Sequence, residues 1–158
     1  MRTFSLLKGQ PVFETKSGTK IGEVSDLSIS SNGKVKGLLI KKGGFFKQSY
    51  FLDIQYVTSF GEDGVMIEDC EQLEKLKNSP EYTFTHQNSL NGTMLLSKSG
   101  DSLGLLKDVY FQEELGTIVG YEITDGFFSD ITEGKQVIQS GEPPAIGKDA
   151  IIVDVNHT

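Results

Sequence analysis

Lys16-Ser17-Gly18-Thr19-Lys20-Ile21-Gly22-Glu23-Val24-Ser25-Asp26-Leu27 returns further along as Lys98-Ser99-Gly100-Asp101-Ser102-Leu103-Gly104-Leu105-Leu106-Lys107-Asp108-Val109. The offset is 98 − 16 = 82 residues throughout. Working outward, Gly37 answers to Gly120 and Ile40 to Ile123 at an offset of 83, and Gly44-Phe45-Phe46 answers to Gly126-Phe127-Phe128 at 82 again. A repeat this long is a whole small domain, well beyond the periods of roughly 20–50 residues that mark solenoids. The chain therefore reads as two copies of one module, over residues 1–68 and 82–158, with a connector over 69–81.

Nearly every segment between these landmarks reads as strand. Pro11–Thr15 is short and apolar, and Lys16-Ser17-Gly18 turns it into the run Ile21–Ser30. In that run Val24, Leu27 and Ile29 are the inward positions, with a bulge near Ser25-Asp26. Asn32-Gly33 predicts a type I′ hairpin into Val35–Ile40, because both central residues of that turn take positive φ. Gly43-Gly44 makes the next turn, and Ser49–Leu52, Ile54–Phe60 and Val65–Ile67 complete the copy. The second copy follows with Thr93–Ser97, Leu103–Phe111, Ile118–Thr124, Phe127–Thr132, Val137–Ile138 and Ala150–Val155. Its Glu113–Gly116 turn is one residue longer, which moves the offset from 82 to 83. Short strands with glycine-rich turns, in a module too small for a layered sandwich, predict a mainly β chain of two small closed barrels.

Between the copies, Asp69 reads as an N-cap and Gln72 completes a variant capping box. Leu73 and Leu76 share a face, Lys75 and Lys77 sit in the last turn, and Asn78-Ser79-Pro80 ends it. This predicts a short helix inside 69–79. It is too short to be stable alone, so its leucines are expected to pack on one or both barrels.

The net charge of −7 hides an asymmetry. Residues 1–78 hold 11 Lys+Arg against 10 Asp+Glu, a balance of +1, and residues 79–158 hold 4 against 12, a balance of −8. An acidic second half argues against nucleic acid, since phosphate binding rests on clustered Lys and Arg. Lys34, Lys36, Lys41, Lys42 and Lys47 read first as a solvated strand face. No apolar run approaches the roughly 20 residues of a membrane span, so no membrane insertion is expected. The N-terminal residues do not read as a signal peptide, and the single cysteine, Cys70, excludes an intramolecular disulfide framework. These features favour the cytoplasm.

The pattern Gly18-x-x-Ile21-Gly22-x-x-x-Asp26-Leu27, then a glycine hairpin and an apolar strand with Gly37, resembles the PRC-barrel fold. Gly100, Leu103, Gly104, Asp108, Val109 and Gly120 repeat it. The resemblance covers the chain twice, and the tandem is similar to uncharacterised proteins of endospore-forming Gram-positive bacteria. It implies two PRC-type barrels joined by a short helix and acting as an interaction module. It implies no catalytic residue set.

The remaining candidates fit that reading. Gly22, Gly37, Gly104 and Gly120 lie in strands, where curvature or close packing accounts for them. Asp26 and Asp108 read as side chains accepting backbone N–H bonds at a bulge or turn. Gly141 to Lys148 misses the phosphate-loop spacing, and His86 and His157 are too isolated for a zinc site. No catalytic, cofactor-binding or metal residue is nominated. Phe45-Phe46 and Phe127-Phe128 each follow a turn, so one ring of each pair should enter the core and the other face outward. Together with Leu73 and Leu76 these are the candidate contacts with the other barrel or a partner. The expected function is a non-enzymatic adaptor that binds another protein. A ribosome- or RNA-associated maturation factor and a small-ligand sensor with a pocket between the barrels are the alternatives, and the oligomeric state is left open.

Overall fold

In the computed structural model, which describes residues 1–124 and 136–155, the two repeated stretches form the same hairpin twice. The chain opens with β1 (Arg2–Thr3) and a single helical turn, α1 (Phe4–Leu7). The first copy then runs through β2 (Pro11–Glu14), β3 (Thr19–Ile29), β4 (Val35–Lys42), β5 (Gln48–Asp53), β6 (Val57–Phe60) and β7 (Val65–Ile67). The two-residue strand β8 (Glu74–Lys75) lies in the connector, and β9 (Tyr82–Thr83) leads into the second copy. The second copy comprises β10 (Met94–Ser97), β11 (Ser102–Phe111), β12 (Ile118–Thr124), β13 (Gln136–Gln139), β14 (Ala145–Ile146) and β15 (Ala150–Val153). The order is β6-β7-β2-β3-β4-β5 in one sheet and β14-β15-β10-β11-β12-β13 in the other, so the repeat is structural as well as sequential. Both include one parallel pair, β2 with β7 and β10 with β15.

The expected bulge is present in both copies. The β3–β4 register skips between Val24 and Asp26, and the β11–β12 register between Leu106 and Asp108. One extra residue reverses the alternation, so Val24, Leu27 and Ile29 all reach the core. Asp26, the neighbour of Leu27, is thereby turned to the opposite face. It is nevertheless fully buried, because the other copy covers it.

Two local expectations are corrected. The Asn32-Gly33 turn is not type I′: only Gly33 has positive φ, at 80°. The Gly33 amide donates to the Ser30 carbonyl and the Ser30 amide to the Lys34 carbonyl, a three-residue loop with glycine in the left-handed position. The connector helix is also absent. Asp69 and Gln72 do form the capping box, but it caps a single 3-10 turn, Cys70–Gln72. The chain is extended again at Leu73, and β8 pairs with β5. A helix nucleus of one turn is costly, and the open edge of β5 offers backbone partners to the next residues instead.

One apolar core runs through both copies. It joins Phe4, Leu27, Ile40 and Leu52 with Phe84, Leu106, Phe111 and Ile123. Neither ladder closes on itself among the described residues, so the open stretches of strand edge are covered in another way.

Candidate functional site

β3 is 11 residues long, but β2 pairs only with its first part, Thr19 to Glu23. That leaves the Ser28–Ile29 edge free, and β9 fills it, with Ser28 opposite Thr83 and Ile29 opposite Tyr82. The same happens in reverse. β1 pairs with the far end of β11, with Arg2 opposite Phe111 and Thr3 opposite Tyr110. Each copy thus places its leading strand in the sheet of the other.

The two aspartates hold this exchange in place. Asp108 Oδ1 accepts the Phe4 amide at 3.1 Å, Asp108 Oδ2 accepts that of Ser5 at 3.3 Å, and Oδ1 also takes the adjacent Val109 amide at 2.8 Å. Asp26 makes the mirror-image set with Phe84 at 2.8 Å, Thr85 at 3.1 Å and its neighbour Leu27 at 2.8 Å. Asp26 has two further partners, the Thr85 hydroxyl at 3.0 Å and His86 Nδ1. A buried carboxylate is tolerated when several donors converge on it, and bonds to a charged acceptor are the strong ones. The expected role, accepting backbone N–H groups beside a bulge, is therefore present. The donors come mainly from the other copy.

Three further contacts follow the same pseudo-twofold relation. The rings of Phe4 and Phe84, carried by the two exchanged segments, meet at 4.8 Å. The β3–β4 and β11–β12 loops join through Val35 N–H to Gly116 O at 2.7 Å and Ile118 N–H to Gly33 O at 3.2 Å. Gly116 has φ of 74°, and a Cβ there would lie 2.0 Å from the Val35 carbonyl oxygen, so only glycine fits. At the rim, the N-terminal ammonium pairs with Glu113 and holds its carboxyl below the usual range, and Arg2 donates to the Phe60 carbonyl.

The sequence matches the PRC-barrel domain over residues 1–73 and again over 84–158. The chain belongs to the PRC-barrel family. It is 31% identical over 157 residues to the uncharacterised protein YrrD of Bacillus subtilis (strain 168), an alignment covering 98% of this chain and 88% of that one. Both PRC-barrel copies place their motif glycines alike. Gly18 and Gly100 lie in the turn before the long strand, and Gly22 and Gly104 lie against a carbonyl of the paired strand. Gly37 and Gly120 occupy matching registers, but Gly37 is tighter: a Cβ would lie 2.2 Å from Leu52 O, against 3.5 Å from the nearest atom at Gly120.

The candidate contact residues of this PRC-barrel tandem scatter. Leu73 packs partly against the core, and Leu76 is half-buried, its amide donating to Ser49 O of the first copy at 3.4 Å. Phe45 and Phe46 are 95% and 82% exposed, which corrects the expectation of one ring inside. They lie in a bend between β4 and β5, outside any strand, so alternation does not govern them. Phe127 and Phe128 lie outside the described residues.

Other chemistry among the described residues is sparse. Glu14, Asp69 and Cys70 bring their ligand atoms within 4.8 Å of one another. Lys16 already pairs with Asp69 at 3.2 Å, and Glu14 accepts the Cys70 amide at 2.6 Å. Hydrogen bonding to Glu14, with burial and nearby acids, pushes the Cys70 thiol up, away from the thiolate a metal or electrophile requires. A depression of about 830 Å³ is lined by Tyr110, Val119, Val137, Ile138 and Val155 of the second copy with Met1. No helix among the described residues is long and apolar enough to cross a membrane.

The residues that make the exchange escaped the sequence reading. Thr3-Phe4-Ser5 and Thr83-Phe84-Thr85 are a repeat at an offset of 80, and this was the signal to find. It was masked because the three-residue insertion before Leu90 breaks the 82–83 register.

Proposed function

We propose that this PRC-barrel tandem is a non-enzymatic adaptor that presents the composite surface of its two barrels to another protein in the cytoplasm. The observation that supports it is the reciprocal exchange: β1 and β9, the Asp26 and Asp108 contacts and the Phe4–Phe84 pair join both copies in one core. A surface spanning two bodies so joined has one shape, and a preformed surface binds without the cost of ordering itself. The two aspartates that invite a catalytic reading have their oxygens occupied by structural donors.

The test is crosslinking capture from the native host with wild type and with Asp26→Ala/Asp108→Ala. Wild type should enrich a defined protein partner, and the double variant should lose it while far-UV circular dichroism reports retained strand. No specific partner for wild type, or equal capture by the unlocked variant, would sink the reading.

A further inference from the structure

The loop between β4 and β5 carries the most exposed large apolar groups of the described chain. Phe45 and Phe46 stand almost wholly in solvent, their rings edge to face at 5.2 Å. Fully exposed paired rings at a loop tip are unfavourable in water and mark a contact site. Around them stand Lys41 and Lys42 at the end of β4 and Lys47 just after the rings, all exposed. Lys42 Nζ lies 5.7 Å from the Tyr50 ring centroid, so its stem runs along the base of the loop. Glu23 stands opposite Lys41 in the ladder, but its ion pair, at 2.9 Å, is with Lys20. Lys41, Lys42 and Lys47 form no ion pair among the described residues.

We infer that this tip docks on an anionic lipid surface. A protein partner is the weaker fit on area. Two aromatic rings bury roughly 300–500 Å², short of the about 800 Å² per partner that a stable protein interface needs. A bilayer boundary requires no complementary pocket. It accepts aromatic rings at headgroup depth while lysines above them meet anionic phosphates. The charge asymmetry sets the orientation. In the second copy the equivalent Phe127-Phe128 is bracketed in sequence by Asp125 and Asp130, within a half of balance −8, so an anionic surface favours the first tip alone. The contact is peripheral, in keeping with the absence of a spanning helix among the described residues. It does not depend on the protein partner proposed above.

The chain contains no tryptophan, so Phe46→Trp in the full-length protein is a clean reporter. Vesicles of two parts phosphatidylcholine to one part phosphatidylglycerol should shift its emission to the blue and sediment the wild-type chain, while pure phosphatidylcholine should do neither. Lys41→Ser/Lys42→Ser/Lys47→Ser should weaken sedimentation about a hundredfold at low salt, each lysine contributing about fivefold. Phe45→Ser/Phe46→Ser should weaken it at least about tenfold with an unchanged melting temperature, both side chains being free of the core. No blue shift, equal binding to both vesicle types, or binding indifferent to the phenylalanines overturns the inference. So does tip-dependent capture of a protein without vesicle binding.

Discussion

Asp26→Ala should be the most damaging single truncation at the junction of the two barrels, and the structure sets its size. It strands the amides of Leu27 and Phe84, both buried, and that of Thr85, and it removes the Thr85 hydroxyl and His86 contacts. A hydrogen bond to a charged group contributes about 1.5–3 kcal/mol, and a buried donor left without a partner costs about 1–3 kcal/mol. With neighbouring terms overlapping, the expected loss is about 4 kcal/mol. Asp108→Ala strands three amides, of which those of Phe4 and Ser5 are held over longer distances than their Asp26 counterparts. Among the described residues Asp108 accepts from no side-chain donor, so about 3 kcal/mol is expected. Asp26→Asn keeps Oδ1, which takes both Leu27 and Phe84, and should cost about half of the alanine value. The double alanine variant should cost less than the sum, because opening one half of the exchange weakens the other. Urea denaturation followed by far-UV circular dichroism measures all four. An Asp26→Ala loss below about 1 kcal/mol, or equal losses for Ala and Asn, would refute the assignment of these bonds as the lock.

Other outcomes follow from single sites. Gly37→Ala should destabilise by more than about 2 kcal/mol because its Cβ would meet Leu52 O, whereas Gly120→Ala should stay within about 1 kcal/mol; thermal melts compare them directly. Gly116→Ala should separate the two loops and cost about 2–4 kcal/mol, visible as loss of hydrogen-exchange protection at Val35 and Ile118. Alkylation of Cys70 should rise with pH only above the range of a free thiol, since its thiolate is disfavoured, and Glu14→Gln should move that profile to lower pH. Leu73→Ser/Leu76→Ser should lower stability yet leave the small-angle scattering profile unchanged, because the strand pairings and aspartate bonds of the exchange are made by other residues.

The repeat by itself determined that there are two like sheets. Equal spacing from Lys16 to Leu27 and from Lys98 to Val109 forces equal strands, and the inward triplet Val24, Leu27 and Ile29 is consistent only with a bulge. The longer second loop was legible as a one-residue offset, and the Asp69–Gln72 cap as a local pattern. What failed at short range was set by competition: one helical turn lost to the free edge of β5, and the Asn32-Gly33 turn took the form that the Ile29–Val35 register required. The exchange was decided by tertiary structure alone. Thr-Phe-Ser before one copy and Thr-Phe-Thr before the other present the same amides, and Asp26 and Asp108 present the same acceptors. Pairing within a copy and pairing across copies would make the same local bonds. Only the path of the connector and the packing of Phe4 on Phe84 distinguish them, and those depend on where the whole chain lies in space.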